Sequence, residues 1–191
     1  MAEVIVLHNW VLDGEAVRGT AANLEHHFKT SEKKLATVSE TYAFIEHLHE
    51  TRNPALNGII TDLGSNFFTG TKINYVRNTI SHRTTDLECF GLHEIQERNI
   101  EGDYFDNLIK MDDGLNLMQV MFGRLNVYDI PDMLYAVTGK RAYLQLDHPA
   151  ARRIPSDKIV SLNIDRDGFK INCDNLPRDA GRARGLYIKQ S

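Results

Sequence analysis

Asn57-Gly58-Ile59-Ile60-Thr61-Asp62-Leu63-Gly64 constrains the fold more than any other stretch of this chain: a short apolar, β-branched run bounded by glycines and closing on an acid. Such a run reads as a strand buried on both faces, with Asp62 at its carboxyl end. That is where open α/β sheets place their chemistry. Asp62 then has two readings. It caps the following loop or helix by accepting backbone N–H bonds, or it is a metal ligand or phosphoryl acceptor, and partners from other segments decide between the two.

The segments before it alternate. Val4 to Leu7 reads as a buried strand with His8-Asn9-Trp10 at its carboxyl end. From Glu15 to Lys29 the apolar positions Ala16, Val17, Ala21, Leu24 and Phe28 recur at helical spacing. Leu35 to Val38 is a short strand, and Ser39-Glu40 opens an amphipathic helix through Tyr42, Phe44, Ile45 and Leu48 that stops near Asn53-Pro54. The order β-α-β-α-β predicts a parallel sheet with helices on its faces.

Beyond Gly64 the periodicity weakens, and residues 64–110 read as an insertion into the domain. Asp112-Asp113-Gly114 precedes a densely apolar helix from Leu115 to Leu125, and Met133 to Val137 reads as a further buried strand closing on Thr138-Gly139. The last strand of the sheet is either Tyr143–Leu146 or Ile159–Ile164. Asp167-Gly168 suggests a hairpin within an extension over 150–191, and Arg178 to Ser191 reads as a basic, peripheral tail. Asp165-Arg166-Asp167-Gly168 lacks the later acids of a calcium loop. His47 and His49, two apart on a helix, point too far apart to share one ion.

Composition narrows the class. A net charge of −4 on 191 residues gives no global attraction to nucleic acid or anionic membrane, and no apolar run is long enough to span a bilayer. Cys89 and Cys173 are too few for a disulfide framework, which with the weak N-terminal apolar run points to a reducing, cytoplasmic setting.

On three of these segments the chain resembles the receiver domain of two-component response regulators. Ile59-Ile60-Thr61-Asp62-Leu63 is similar to the strand that carries the phospho-acceptor, with Asp62 at the acceptor position. Met111-Asp112-Asp113-Gly114-Leu115 is similar to the loop and helix that follow it, and Ala136-Val137-Thr138-Gly139 to the next strand end. The resemblance implies a flavodoxin-like, three-layer open parallel sheet of about five strands, with Asp62, His8, Asn9 and Thr138 around one site and His148 where the family places a lysine. It implies Mg²⁺ only if that site is functional. His8-Asn9 stand where the family has its acidic pair, and neither carries negative charge at neutral pH, so Asp62 alone is a weak hard-cation site.

The expected function is therefore a signalling or protein-interaction module, a pseudo-receiver without cofactor that binds a protein partner, with homodimerisation open. An enzyme is the alternative: a metal-dependent phosphohydrolase or nucleotide-handling protein in which Asp86, Asp112 or Asp113 assists Asp62. A third reading has the basic tail bind nucleic acid.

Overall fold

Chain direction reverses almost at once. In the computed structural model, which describes residues 5–76, 79–83, 92–95, 102–146, 156–176 and 178–189, strand β1 (Ile5–Leu7) turns through His8-Asn9 into the antiparallel strand β2 (Trp10–Leu12). His8 adopts φ 55°, the left-handed region a tight turn requires. Strand β3 (Val17–Thr20) then leads into helix α1 (Ala21–Thr30), whose first turn is capped by Thr20 Oγ1 accepting from the Asn23 N–H at 3.3 Å. After the two-residue strand β4 (Lys34–Leu35), helix α2 (Val38–Glu50) opens on a full capping box. The Glu40 N–H donates to Thr37 Oγ1 at 3.2 Å while the Thr37 N–H donates to Glu40 Oε2 at 2.9 Å.

The Gly58–Leu63 run is not a strand. Helix α3 spans Leu56–Asp62, because Leu56, Ile59, Ile60 and Leu63 fall at helical spacing: Ile59 and Leu63 are fully buried, and Leu56 and Ile60 pack against the same core. The 64–110 stretch, read as an insertion, contributes to the centre of the larger sheet. It supplies the ten-residue strand β5 (Phe67–Val76), which pairs on one side with β10 (Ser156–Ile164) and on the other with β12 (Ala180–Ala183) and β6 (Thr79–Arg83). The adjacent phenylalanines explain the position of β5. Phe67 enters the main core and Phe68, on the opposite face, enters a second cluster with Leu24, Phe28, Leu35, Ile159 and Ala183.

Strands β7 (Leu92–Ile95) and β8 (Asp103–Tyr104) precede the short helix α4 (Phe105–Leu108) and helix α5 (Asp112–Phe122). Met133–Val137, expected as a strand, lies inside helix α6 (Ile130–Thr138): Pro131 fits its first turn and Gly139 ends it at φ 67°. Strands β9 (Ala142–Gln145), β11 (Phe169–Asn175) and β13 (Gly185–Ile188) complete the fold.

Among the described residues the strands form two sheets. Four strands lie in the antiparallel order β1-β2-β13-β4, and nine include the path β3-β12-β5-β10-β11-β9-β8, with β6 paired to β5 and β7 to β6. Most pairs are antiparallel, and β9 runs parallel to β11. This replaces the expected open parallel, flavodoxin-like sheet of receiver type; the mixed pairing follows from the β1–β2 hairpin, the helical state of 56–62 and 130–138, and the central place of β5. The segment read as a basic tail forms β12 and β13, one in each sheet, with Ala183 and Leu186 buried.

The turn from β10 to β11 is the hairpin suggested by Asp167-Gly168. Asp165 Oδ1 accepts from the N–H groups of Asp167 and Gly168, and Lys170 Nζ donates to Asp165 Oδ2 at 2.7 Å. The Lys170 hydrogen bond, aided by these two backbone donors, holds the Asp165 carboxyl below its ordinary value. A depressed native pKa contributes stability above the unfolded value of about 3.9 that is lost as pH falls through the folded value. In a carbon-detected NMR titration, Lys170→Met is expected to move the Asp165 midpoint upward; an unmoved midpoint would show that Lys170 does not set it.

Candidate functional site

Asp62 ends α3 and is 7% exposed. Its partners come from the strand segment 120 residues further on. Arg184 Nε and Nη2 donate to Asp62 Oδ2 at 2.9 and 2.6 Å, and Arg182 Nη1 donates to Oδ1 at 3.1 Å. Arg184 Nη1 also donates to the carbonyls of Asp13 and Gly14, both at 2.9 Å, so its guanidinium, 4% exposed, spans α3, the loop after β2 and the crossing from β12 to β13. Both carboxylate oxygens are thus occupied by fixed cations. The Mg²⁺ implied by the resemblance does not fit this environment, since a dication would sit against two guanidinium charges.

The remaining expected site residues do not join Asp62 through any hydrogen bond of the described residues. His8 and Asn9 form the β1–β2 turn, where the Asn9 carbonyl accepts from the Lys189 N–H at 2.8 Å. Thr138 closes α6, donating to the Leu134 carbonyl at 2.6 Å and accepting from the Lys140 N–H at 3.1 Å. His148 lies outside the described residues, as do Asp86, Cys89 and Arg152-Arg153. Asp112 and Asp113 are exposed in the first turn of α5. Among the described residues no cluster of three or more His, Cys, Asp or Glu side chains is placed to hold a metal ion, and no helix is long and apolar enough to cross a membrane.

A different feature stands out on the surface. The turn between α5 and α6 exposes Leu125 (84%) and Tyr128 (58%), and α6 exposes Tyr135 (58%). This turn is held firmly. Arg124 donates through Nη2 to both oxygens of Asp129 at 2.9 and 2.7 Å, through Nε to the Asn126 carbonyl at 2.6 Å, and through Nη1 to Glu46 of α2 at 3.0 Å. Gln119 Nε2 donates to the Leu125 carbonyl at 2.8 Å, and Gly123 takes φ 63° at the end of α5. Behind Arg124, burial pushes the Tyr42 phenol far above its ordinary pKa, with the neighbouring Glu46 carboxylate adding to the rise, so Tyr42 stays a neutral donor to Glu46.

The sequence offered one signal for this surface. Tyr135 lies off the Ile130–Leu134 buried stripe of α6, which is legible once 130–138 is recognised as helical. Leu125 reads as the last core residue of the α5 pattern, and only the break at Gly123 turns it outward. Comparison of the chain with models of known protein families, with curated proteins and with solved structures gives no match.

Proposed function

We propose that this chain is a protein-interaction module whose contact surface is the α5–α6 turn and the outer side of α6. The observation that carries the proposal is a backbone turn fixed by side-chain hydrogen bonds yet displaying Leu125 and Tyr128 to water. Such pre-organisation reduces the ordering cost of association. Tyrosine is enriched where interfaces are buried, and exposed large apolar side chains grouped on one surface mark contact sites.

The charges on this surface select the partner. The outward side chains of α6 are Asp132, Tyr135 and Ala136, and Asp132 adds a carboxylate that forms no ion pair among the described residues. A partner offering an apolar pocket edged by Lys or Arg complements it. Two-fold pairing of α6 with a second copy would instead oppose Asp132 to itself, a like-charge contact. Asp62 contributes to the scaffold in this reading and not to chemistry, because its oxygens are engaged by Arg182 and Arg184.

The test is selection of binders from a random peptide library displayed against the whole protein. Enriched peptides are expected to combine aromatic or aliphatic residues with Lys or Arg. Leu125→Ser and Tyr135→Ala should each weaken the selected peptides by about 2 kcal/mol or more, with thermal stability nearly unchanged because both side chains are exposed. Equal binding to both variants, or acidic consensus peptides, would refute the assignment.

A further inference from the structure

The nine-stranded sheet has a second face that its two ends treat differently. Over β5, β10 and β12 that face is covered by α1, through Leu24 and Phe28 packed on Phe68, Ile159 and Ala183. Over β8, β9 and β11 the residues alternating away from the main core are polar or aromatic and partly exposed. The registers align them in two rows. One runs Asn163, Lys170, Tyr143, Tyr104 across four strands, and the next runs Ser161, Asn172, Gln145 across three.

Three properties of these rows point to one kind of ligand. First, the Tyr104 and Tyr143 rings meet edge to face at 5.3 Å and form an aromatic wall at one end. Second, both cations of the face are paired: Lys170 with Asp165 at 2.7 Å, and Arg141, stacked over Tyr104 at 4.1 Å, with Asp106 at 3.1 Å, while the Asp174 carboxylate accepts from the Gln145 amide at 2.8 Å. Third, the side-chain oxygens of Asn163 and Asn172, on neighbouring strands and adjacent rows, are shielded from solvent and have no hydrogen-bond donor among the described residues. A shielded acceptor without a donor is costly, and the terminal torsion of asparagine is soft enough to re-aim its amide towards an incoming group.

We infer that this strip is a binding site for a neutral, hydroxyl-rich ligand of the saccharide class, with the Tyr143 ring, beside the Arg141-covered Tyr104, against a C–H face and the amides of Asn163 and Asn172 turning outward to hydrogen-bond its hydroxyls. Each hydroxyl both donates and accepts, which suits amides that can turn either group towards it. Single-stranded nucleic acid, the other common occupant of a sheet face bearing aromatics, draws its affinity from cations free to replace phosphate counterions. Lys170 and Arg141 are each already paired with a carboxylate. The site is separate from the α6 surface and does not depend on it.

The experiment is a two-dimensional ¹H–¹⁵N NMR titration of the whole chain with neutral cello-, xylo-, malto- and chito-oligosaccharides, each tested alone, and with a single-stranded oligonucleotide. At least one oligosaccharide is expected to shift the side-chain amide signals of Asn163, Asn172 and Gln145 saturably and independently of salt. Asn172→Ala and Tyr143→Ala should each weaken that binding about tenfold, the effect of one lost hydrogen bond or ring contact. Tyr143→Phe, which keeps the ring and guards against misfolding in the alanine variant, should retain it. The inference fails if none of the oligosaccharides shifts these signals, if shifts fall elsewhere, if the alanine variants bind as wild type, or if only the oligonucleotide binds, with salt-dependent affinity.

Discussion

Asp62→Ala is expected to destabilise the protein by about 3–5 kcal/mol in urea unfolding, the range for stripping a buried ion of its partner. The reason lies in what remains. Arg184, 4% exposed, would keep its positive charge against α3 with only the Asp13 and Gly14 carbonyls to accept from it. Asp62→Asn should cost less, since the amide oxygen still accepts from a guanidinium but without its charge. Removing the orphaned cation as well, in Asp62→Ala with Arg184→Met, should recover much of the loss, and the double-mutant cycle would then report strong coupling. A loss below about 1 kcal/mol for Asp62→Ala, the scale of an exposed ion pair, would mean that the carboxylate does not hold the two sheets and α3 together.

The second large effect concerns Phe67. It is 1% exposed and faces the main core from the centre of the nine-stranded sheet, so Phe67→Ala should lower unfolding free energy by about 3–5 kcal/mol through lost burial and the cavity left behind. Phe68→Ala tests the other face of the same strand. It should cost a similar amount by opening the cluster beneath α1, where Leu24, Phe28 and Ile159 pack. If both substitutions were nearly neutral, β5 would not join the two cores.

Helices whose signals are local were legible in the sequence. Tyr42, Phe44, Ile45 and Leu48 mark the buried side of α2, and Leu117, Met118, Met121 and Phe122 that of α5, each at helical spacing within one segment. Two helices were read as strands because the apolar runs Ile59–Leu63 and Met133–Val137 are too short to show a helical period on their own. Leu56 stands just outside the Ile59-Ile60 run, and with it the spacing becomes helical; Pro131 and Gly139 bracket α6 in the same way. β5 was hidden for a different reason. A strand buried on both faces does not alternate, and Phe67-Phe68 side by side obscured that each phenylalanine serves a separate core.

Asp62 was legible as a residue and not as a site. Its place at the end of an element was anticipated, though of a strand and not of α3, and its chemistry was decided by two arginines 120 and 122 positions away. One local clue existed. In Gly181-Arg182-Ala183-Arg184-Gly185 the arginines alternate with small residues, a period-two pattern that places both on one side of an extended chain. The glycines carry the same information, since a methyl group at Gly181 would come within 2.3 Å of the Asn66 carbonyl and one at Gly185 within 2.5 Å of Asp13 Oδ2. These contacts join segments that no local window contains together.

The interior placement of β12 and β13 bears on the order in which the molecule can assemble. β12 separates β3 from β5, and β13 separates β2 from β4, so residues 180–188 fill a gap in each sheet after every neighbour has already been synthesised. A chain growing from its amino end therefore holds open strand edges in both sheets until that segment emerges. Products that stop short of Ala180 would lack the guanidinium pair, leave β3 and β4 without the strands they pair with and open one edge of β2 and part of β5, making premature termination a direct route to aggregation.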